Sequence, residues 1–181
     1  LEKRELDSAQ MIELLLGWLA RYPIVSVEDP LAEDDPDGMR SFTERAGGRV
    51  QIIGDDFLVT NAELIGQAAA AGACNAALIK PNQAGTVTET FAALAAARRA
   101  GWNAIVSARS GETEDVSIAH LAVGWNAGQL KVGSFARSER MAKWNELLRI
   151  EQTAGANLAF AGRSALARSE LPQDAVSKRT E

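Results

Sequence analysis

The sequence is poor in the residues that would point to several common functions. It has one cysteine, Cys74, and one histidine, His120, in 181 residues. A single cysteine cannot close an internal disulfide, which suits a reducing, cytoplasmic setting. Cys74 lies beside an expected strand and reads as a small buried hydrophobe rather than a nucleophile. No apolar run approaches the length of a bilayer span, and the opening Leu1-Glu2-Lys3-Arg4-Glu5 lacks the apolar centre of a signal peptide. Basic residues are outnumbered: 19 Lys and Arg against 24 Asp and Glu give a net charge of -5 and a pI near 5.1. That balance argues against nucleic acid as the main partner, because phosphate binding needs a basic surface. No Gly-rich phosphate loop follows the first expected strand, where Glu28-Asp29-Pro30 stands instead, so a dinucleotide fold is disfavoured. The chain also opens without Met and goes straight into a helix, from which a missing beginning is expected.

What is present is a repeated grammar. At 46% hydrophobic the chain can bury a core, and its length favours one domain. Asp7 or Ser8 can cap a first helix in which Met11, Leu14, Leu15, Trp18, Leu19 and Tyr22 recur at helical spacing until Pro23. Five units of strand and helix follow. The strands are expected at 24–28, 49–54, 75–80, 103–107 and 129–132. The helices are expected at about 36–46, then from a Thr60/Glu63 capping box to 71, from a Thr86/Glu89 box to 99, from Asp115 to about 126, and from a Ser138 cap to 149 or 152. The last helix carries Met141, Trp144, Leu147, Leu148 and Glu151 in period. Strands alternating with helices imply a parallel sheet with right-handed crossovers.

Polar residues gather where each strand ends. Glu28, Asp55, Lys80, Arg109 with Ser110, and Lys131 follow successive strands, so carboxylates, amines and a guanidinium share one rim. Polar ends on every strand, rather than at one switch point, describe a barrel more than an open sheet. A closed barrel needs eight strands, so three are expected to be absent from this chain. Two carboxylates, Glu28 and Asp55, are hard oxygen ligands suited to Mg²⁺, although single acids at strand ends are commonly helix caps. A lysine beside a divalent ion is pushed toward its neutral form, and a neutral amine is a base. Arg109 offers a planar fork for a phosphate or carboxylate, with the Ser110 hydroxyl and the Gly111 backbone nearby. Together these parts describe removal of a proton next to a carboxylate.

The segments Val25-Ser26-Val27-Glu28-Asp29-Pro30, Gly54-Asp55-Asp56 with Val59-Thr60-Asn61, and Ile79-Lys80-Pro81-Asn82-Gln83-Ala84-Gly85-Thr86 resemble blocks of enolase, the phosphopyruvate hydratase of glycolysis. So do Arg109-Ser110-Gly111-Glu112-Thr113-Glu114-Asp115, Gly128-Gln129-Leu130-Lys131, and Ala136-Arg137-Ser138-Glu139-Arg140 with Asn145-Glu146-Leu147-Leu148-Arg149-Ile150-Glu151. The resemblance runs in order over nearly all of residues 8–163. It implies a partial TIM-type (β/α) barrel, the last five units of the enolase C-terminal barrel domain over residues 1–163, with a flexible tail over 164–181. The superfamily's lysine base and Mg²⁺ are a worked example of proton abstraction next to a carboxylate. The resemblance further implies a cytoplasmic, Mg²⁺-dependent lyase, its activity carried by a longer protein of which this chain is expected to be a part. Glu28 and Asp55 would be metal ligands that also face substrate, Lys80 would be the catalytic base taking the C2 proton of 2-phosphoglycerate, Lys131 would contact the substrate carboxylate, and Arg109 and Ser110 would hold the phosphate. The product would be phosphoenolpyruvate, and the full-length protein would be a dimer or higher homo-oligomer, binding neither nucleic acid nor membrane.

Three departures qualify that picture. Ala108 stands where the family has a substrate-site histidine, His120 is expected about three turns into the following helix, and Pro81 fixes φ directly after the expected base. A methyl group moves no proton, so an enolase-like enzyme of specialised metabolism, such as carboxyphosphonoenolpyruvate synthase, is one alternative. A non-catalytic protein on an enolase scaffold is another. The isolated chain is expected to expose long unpaired apolar strand edges, to bind Mg²⁺ weakly, to turn over nothing and to associate or aggregate.

Overall fold

A computed structural model describes residues 5–166. It contains five parallel strands in the order β1-β2-β3-β4-β5. These are β1 (Ser26–Glu28), β2 (Gln51–Gly54), β3 (Ala76–Ile79), β4 (Asn103–Ser107) and β5 (Gly128–Lys131). Chain order and spatial order coincide, so there is no reversal point of the kind that defines a doubly wound sheet. Helices α1 (Ser8–Arg21), α2 (Pro36–Ala46), α3 (Ala62–Ala71), α4 (Pro81–Ala84), α5 (Val87–Arg99), α6 (Ser117–Gly124) and α7 (Ser138–Ala154) flank the strands. The fold is a half-barrel, as the rim of polar strand ends implies.

The period of two along each strand divides the side chains cleanly. Outward-facing Ile52, Ala77, Ile79 and Ala104 pack with Met39, Phe42, Ile65 and Leu94 of the helices in the main core. Inward-facing Ile53, Ala76, Leu78 and Ile105 form a second, smaller cluster inside the curve of the sheet. Below that cluster is a polar layer at the N-terminal ends of the strands. Gln51 Nε2 donates to Ser26 Oγ (3.2 Å) and Gln129 Oε1 (3.1 Å), and Asn103 Nδ2 and Gln129 Nε2 donate to the carbonyl of Ala165 (2.9 and 2.8 Å). A bond between β2 and β5, which are not neighbours, shows how strongly the sheet is curled. Ala165 lies in a short 3-10 turn (Gly162–Ala165); the expected tail lies outside the described residues from 167 onward.

Several local expectations are corrected. The α3 cap is Asn61, whose Oδ1 accepts from the Glu63 and Leu64 N–H groups, and Thr60 is used elsewhere. Helix α6 begins at Ser117, with Asp115 accepting the Ser117 N–H from two residues ahead (2.9 Å). His120 is therefore in the first turn of α6 rather than deep in a helix, and its Nε2 lies 3.0 Å from Glu146 Oε1. Ser138 is the first residue of α7 and makes no capping bond; the cap position is Arg137 at φ 71°. The face of α7 turned inward carries Arg140 and Lys143, while Leu148 is 63% exposed. The unpaired edges are not long apolar strands either: β1 is Ser-Val-Glu and β5 is Gly-Gln-Leu-Lys. Short, polar edges discourage pairing with another chain. Cys74 is buried as expected, and burial pushes its thiol pKa up. No helix among the described residues is long and apolar enough to cross a membrane.

Candidate active site at the strand C-termini

The inward alternation that places Ile53, Leu78 and Ile105 in the middle layer brings Glu28, Asp55, Lys80 and Lys131 to the mouth above it. Lys80 Nζ donates to Asp55 Oδ2 at 2.5 Å and lies 2.5 Å from Oδ1 as well. The side chains are only 11% and 9% exposed, so this is a buried ion pair. Its angle serves Oδ2, and Oδ1 is left buried with no hydrogen-bond partner. Across the mouth, Lys131 Nζ donates to Glu28 Oε1 and Oε2 at 2.6 and 2.7 Å, a pair that is half exposed.

Asp55 is set by the turn that carries it. A Cβ on Gly54 would meet Leu58 Cδ1 at 2.5 Å, so only glycine lets the turn fold back against the buried Leu58. Asp29, at φ 40°, then accepts the Asp55 N–H on Oδ1 and the Asp56 N–H on Oδ2, both at 2.8 Å. One carboxylate thus ties the end of β1 to the end of β2. Pro81 proves compatible with Lys80, because it occupies the first turn of α4, where a missing N–H costs nothing.

The β4 loop is fixed from α7. Arg140 donates from Nη1 to the carbonyls of Arg109 (2.7 Å) and Val132 (3.0 Å), and from Nη2 to the carbonyl of Ser110 (2.8 Å). Lys143, fully buried, donates to the carbonyls of Thr113 (2.6 Å) and Glu139 (3.0 Å) and pairs with Glu112 at 2.8 Å. Glu112 in turn accepts the Arg109 N–H at 2.7 Å. The β5 loop is held by Trp144, which donates to the Ser134 carbonyl (2.8 Å) and stacks on Phe135 with centroids 4.8 Å apart. Backbone and side-chain bonds from Ser117, with Lys143 nearby, hold the Asp115 carboxyl below its ordinary pKa.

A cleft of about 430 Å³ opens between these loops. Asp55, Lys80, Arg109, Ser110 and Lys131 all line it, together with Ala108 and Arg137. Glu28 is not in its wall and reaches it only through Lys131. Asp29, Arg140 and Lys143 are site residues that the sequence reading missed. A cation pair at i and i+3 among apolar residues of α7 was the available signal for the last two.

The donor set suits a small hard cation. Asp29, Asp55 and Asp56 bring carboxylate oxygens within 4.8 Å of one another. Each Asp29 oxygen accepts one N–H and Asp55 is paired with Lys80, whereas Asp56 is exposed. Glu28 lies outside this cluster, with both of its oxygens bound by Lys131. The arrangement can therefore hold an acid between two amines and a cation beside two carboxylates. The family described as enolase, C-terminal TIM barrel domain, matches residues 2–169. With the strand order and the placing of acids and bases at one mouth, this match covers all five units, and the chain belongs to the enolase family as its C-terminal TIM barrel domain.

Proposed function

We propose that this mouth removes the proton next to the carboxylate of a small phosphorylated acid, and that the reaction is the Mg²⁺-dependent dehydration of 2-phosphoglycerate to phosphoenolpyruvate. The observation that carries this reading is the buried Lys80–Asp55 ion pair, an amine and a carboxylate side by side in a cleft that also exposes Arg109, Ser110 and Lys131. Lys80 is the base for the C2 proton. Its flexible stem lets the amine leave Asp55 for a substrate carbon without moving the backbone. Lys131 turns from Glu28 to the substrate carboxylate, and Arg109 with the Ser110 hydroxyl holds the phosphate. Asp55, Asp56 and Glu28 would hold Mg²⁺, which supplies positive charge against the carboxylate and so lowers the cost of removing the neighbouring proton.

A second reading has its own observation. Ala108, buried in the cleft wall, presents a methyl group where the family resemblance expects an imidazole. That change favours a related acid, such as a phosphonate analogue, whose reaction does not need the imidazole.

The test is exchange of the C2 proton of 2-phosphoglycerate with deuterium oxide, followed by proton NMR with and without Mg²⁺. The proposal expects Mg²⁺-dependent exchange in a protein that completes the barrel around these five units, and expects Lys80→Ala to abolish it. Bound 2-phosphoglycerate with no exchange would overturn it, and exchange of a phosphonate analogue alone would favour the second reading.

A further inference from the structure

We infer that Thr60 is a positioning residue for Lys80, and that the strained turn ending at Thr60 exists to set that amine against Asp55. The inference rests on the reading of Lys80 as the base, and it adds a residue to which no role at the site has been given above.

Thr60 is free of the duty its sequence suggests. Asn61 caps α3, so the Thr60 hydroxyl has no helix N–H to serve. It is 2% exposed and instead accepts the backbone N–H of Lys80 at 3.0 Å while donating to Gln83 Oε1 at 2.7 Å. The Lys80 carbonyl accepts from the Gln83 and Ala84 N–H groups at 2.9 and 3.2 Å. One hydroxyl therefore closes the junction between β3 and α4, at the residue whose side chain enters the cleft. Pro81 follows immediately and donates nothing, so no neighbouring N–H can take over the task.

The backbone supplies an independent observation. Val59 and Thr60 stand at φ 43° and 54°, consecutive β-branched residues in the left-handed region. Such residues are rarely found there, and strain of this kind persists only where the surrounding structure over-determines it. The strained pair closes a turn that begins at Asp55, whose carbonyl accepts from the N–H groups of Leu58 and Val59 at 3.0 and 2.8 Å. The turn thus starts at one member of the ion pair and ends on a hydroxyl bonded to the other. It ties the backbone of Asp55 to the backbone of Lys80, and sets the points from which the carboxylate and the amine stem enter the cleft before any ligand arrives.

The experiment compares the full chain with Thr60→Val, which keeps the shape and removes the hydroxyl, and Thr60→Ser, which keeps the hydroxyl. Two readouts are used. The first is competitive trace acetylation of Lys80, read by mass spectrometry with Lys131 as the internal comparison. The inference expects Lys80 labelling to rise several-fold in Thr60→Val, to return to the parent level in Thr60→Ser, and to leave Lys131 unchanged in both. The second is C2 proton exchange of 2-phosphoglycerate in the protein that completes the barrel, where Thr60→Val is expected to lower the rate roughly tenfold or more at an unchanged KM. Should Thr60→Val fail to fold, Thr60→Gly, which the left-handed backbone accepts, carries the same comparison. Unchanged Lys80 labelling in a folded hydroxyl-deletion variant, or an equal rise at Lys80 and Lys131, overturns the inference. Absence of exchange in the parent overturns the enzymatic reading and leaves the labelling result to decide this one.

Discussion

Lys131 and Glu28 lie 103 residues apart in sequence, on the last and first strands, and meet across the mouth of the half-barrel with Nζ at 2.6 and 2.7 Å from the two carboxylate oxygens. Only a strongly curled sheet brings strands from opposite edges into contact. The side chains are 43% and 30% exposed, so solvent screens the pair and its contribution to folding is no more than roughly 1 kcal/mol. Lys131→Met is therefore expected to leave the unfolding midpoint nearly unchanged while weakening phosphoenolpyruvate about tenfold or more in a calorimetric titration. A large loss of stability with unaltered affinity would assign Lys131 a structural role instead.

Asp55 and Lys80 should behave in the opposite way. Removing one partner of a buried pair strands the other charge, at a cost of about 3–5 kcal/mol. Asp55→Ala is expected to lose about that much in urea unfolding, and adding Lys80→Met is expected to recover most of it. A double variant as unstable as the sum of the singles would mean that the two groups are not coupled.

The β4 loop gives a third prediction. Lys143→Met leaves the Glu112 carboxylate without its cation and frees the Thr113 carbonyl. Stability is expected to fall by about 3–5 kcal/mol, and hydrogen exchange at the Arg109 amide, which Glu112 holds, is expected to accelerate. Unchanged protection at Arg109 would show that the loop does not depend on α7.

Acid sensitivity follows from Asp35, the α2 cap. The Ser8 hydroxyl, and after it the Gly38 N–H, hold its carboxyl below the ordinary value of 3.8. A carboxyl depressed in the folded state adds stability that is present above its unfolded pKa and is lost as pH falls through the folded one. Asp35→Asn is expected to flatten the stability profile below about pH 3.8 and to change its slope little near neutrality. An acid limb identical to that of the parent would contradict the assignment.

The rim was legible because it follows from short-range rules. Period two puts Asp55 and Lys80 on the inner face with Ile53 and Leu78, and turn chemistry ends each strand. Thr60 was misassigned for a physical reason: a Thr three residues before Glu63 satisfies the capping pattern as well as Asn61 satisfies the observed cap, and only the left-handed backbone at Val59 and Thr60 separates the two. Arg140 and Lys143 were missed because cations at helical spacing usually face water, whereas here the carbonyls of two loops bury them. Asp29 was missed because its partners, the amides of Asp55 and Asp56, belong to the turn that follows the next strand.

The most direct measurement is Mn²⁺ binding followed by electron paramagnetic resonance, in the parent chain and in Asp55→Asn, with and without phosphoenolpyruvate. Acids and amines converging on one cation and one small acid predict an ion that the parent binds, that phosphoenolpyruvate tightens and that Asp55→Asn loses. Binding indifferent to Asp55, or none at all in the folded chain, would contradict it.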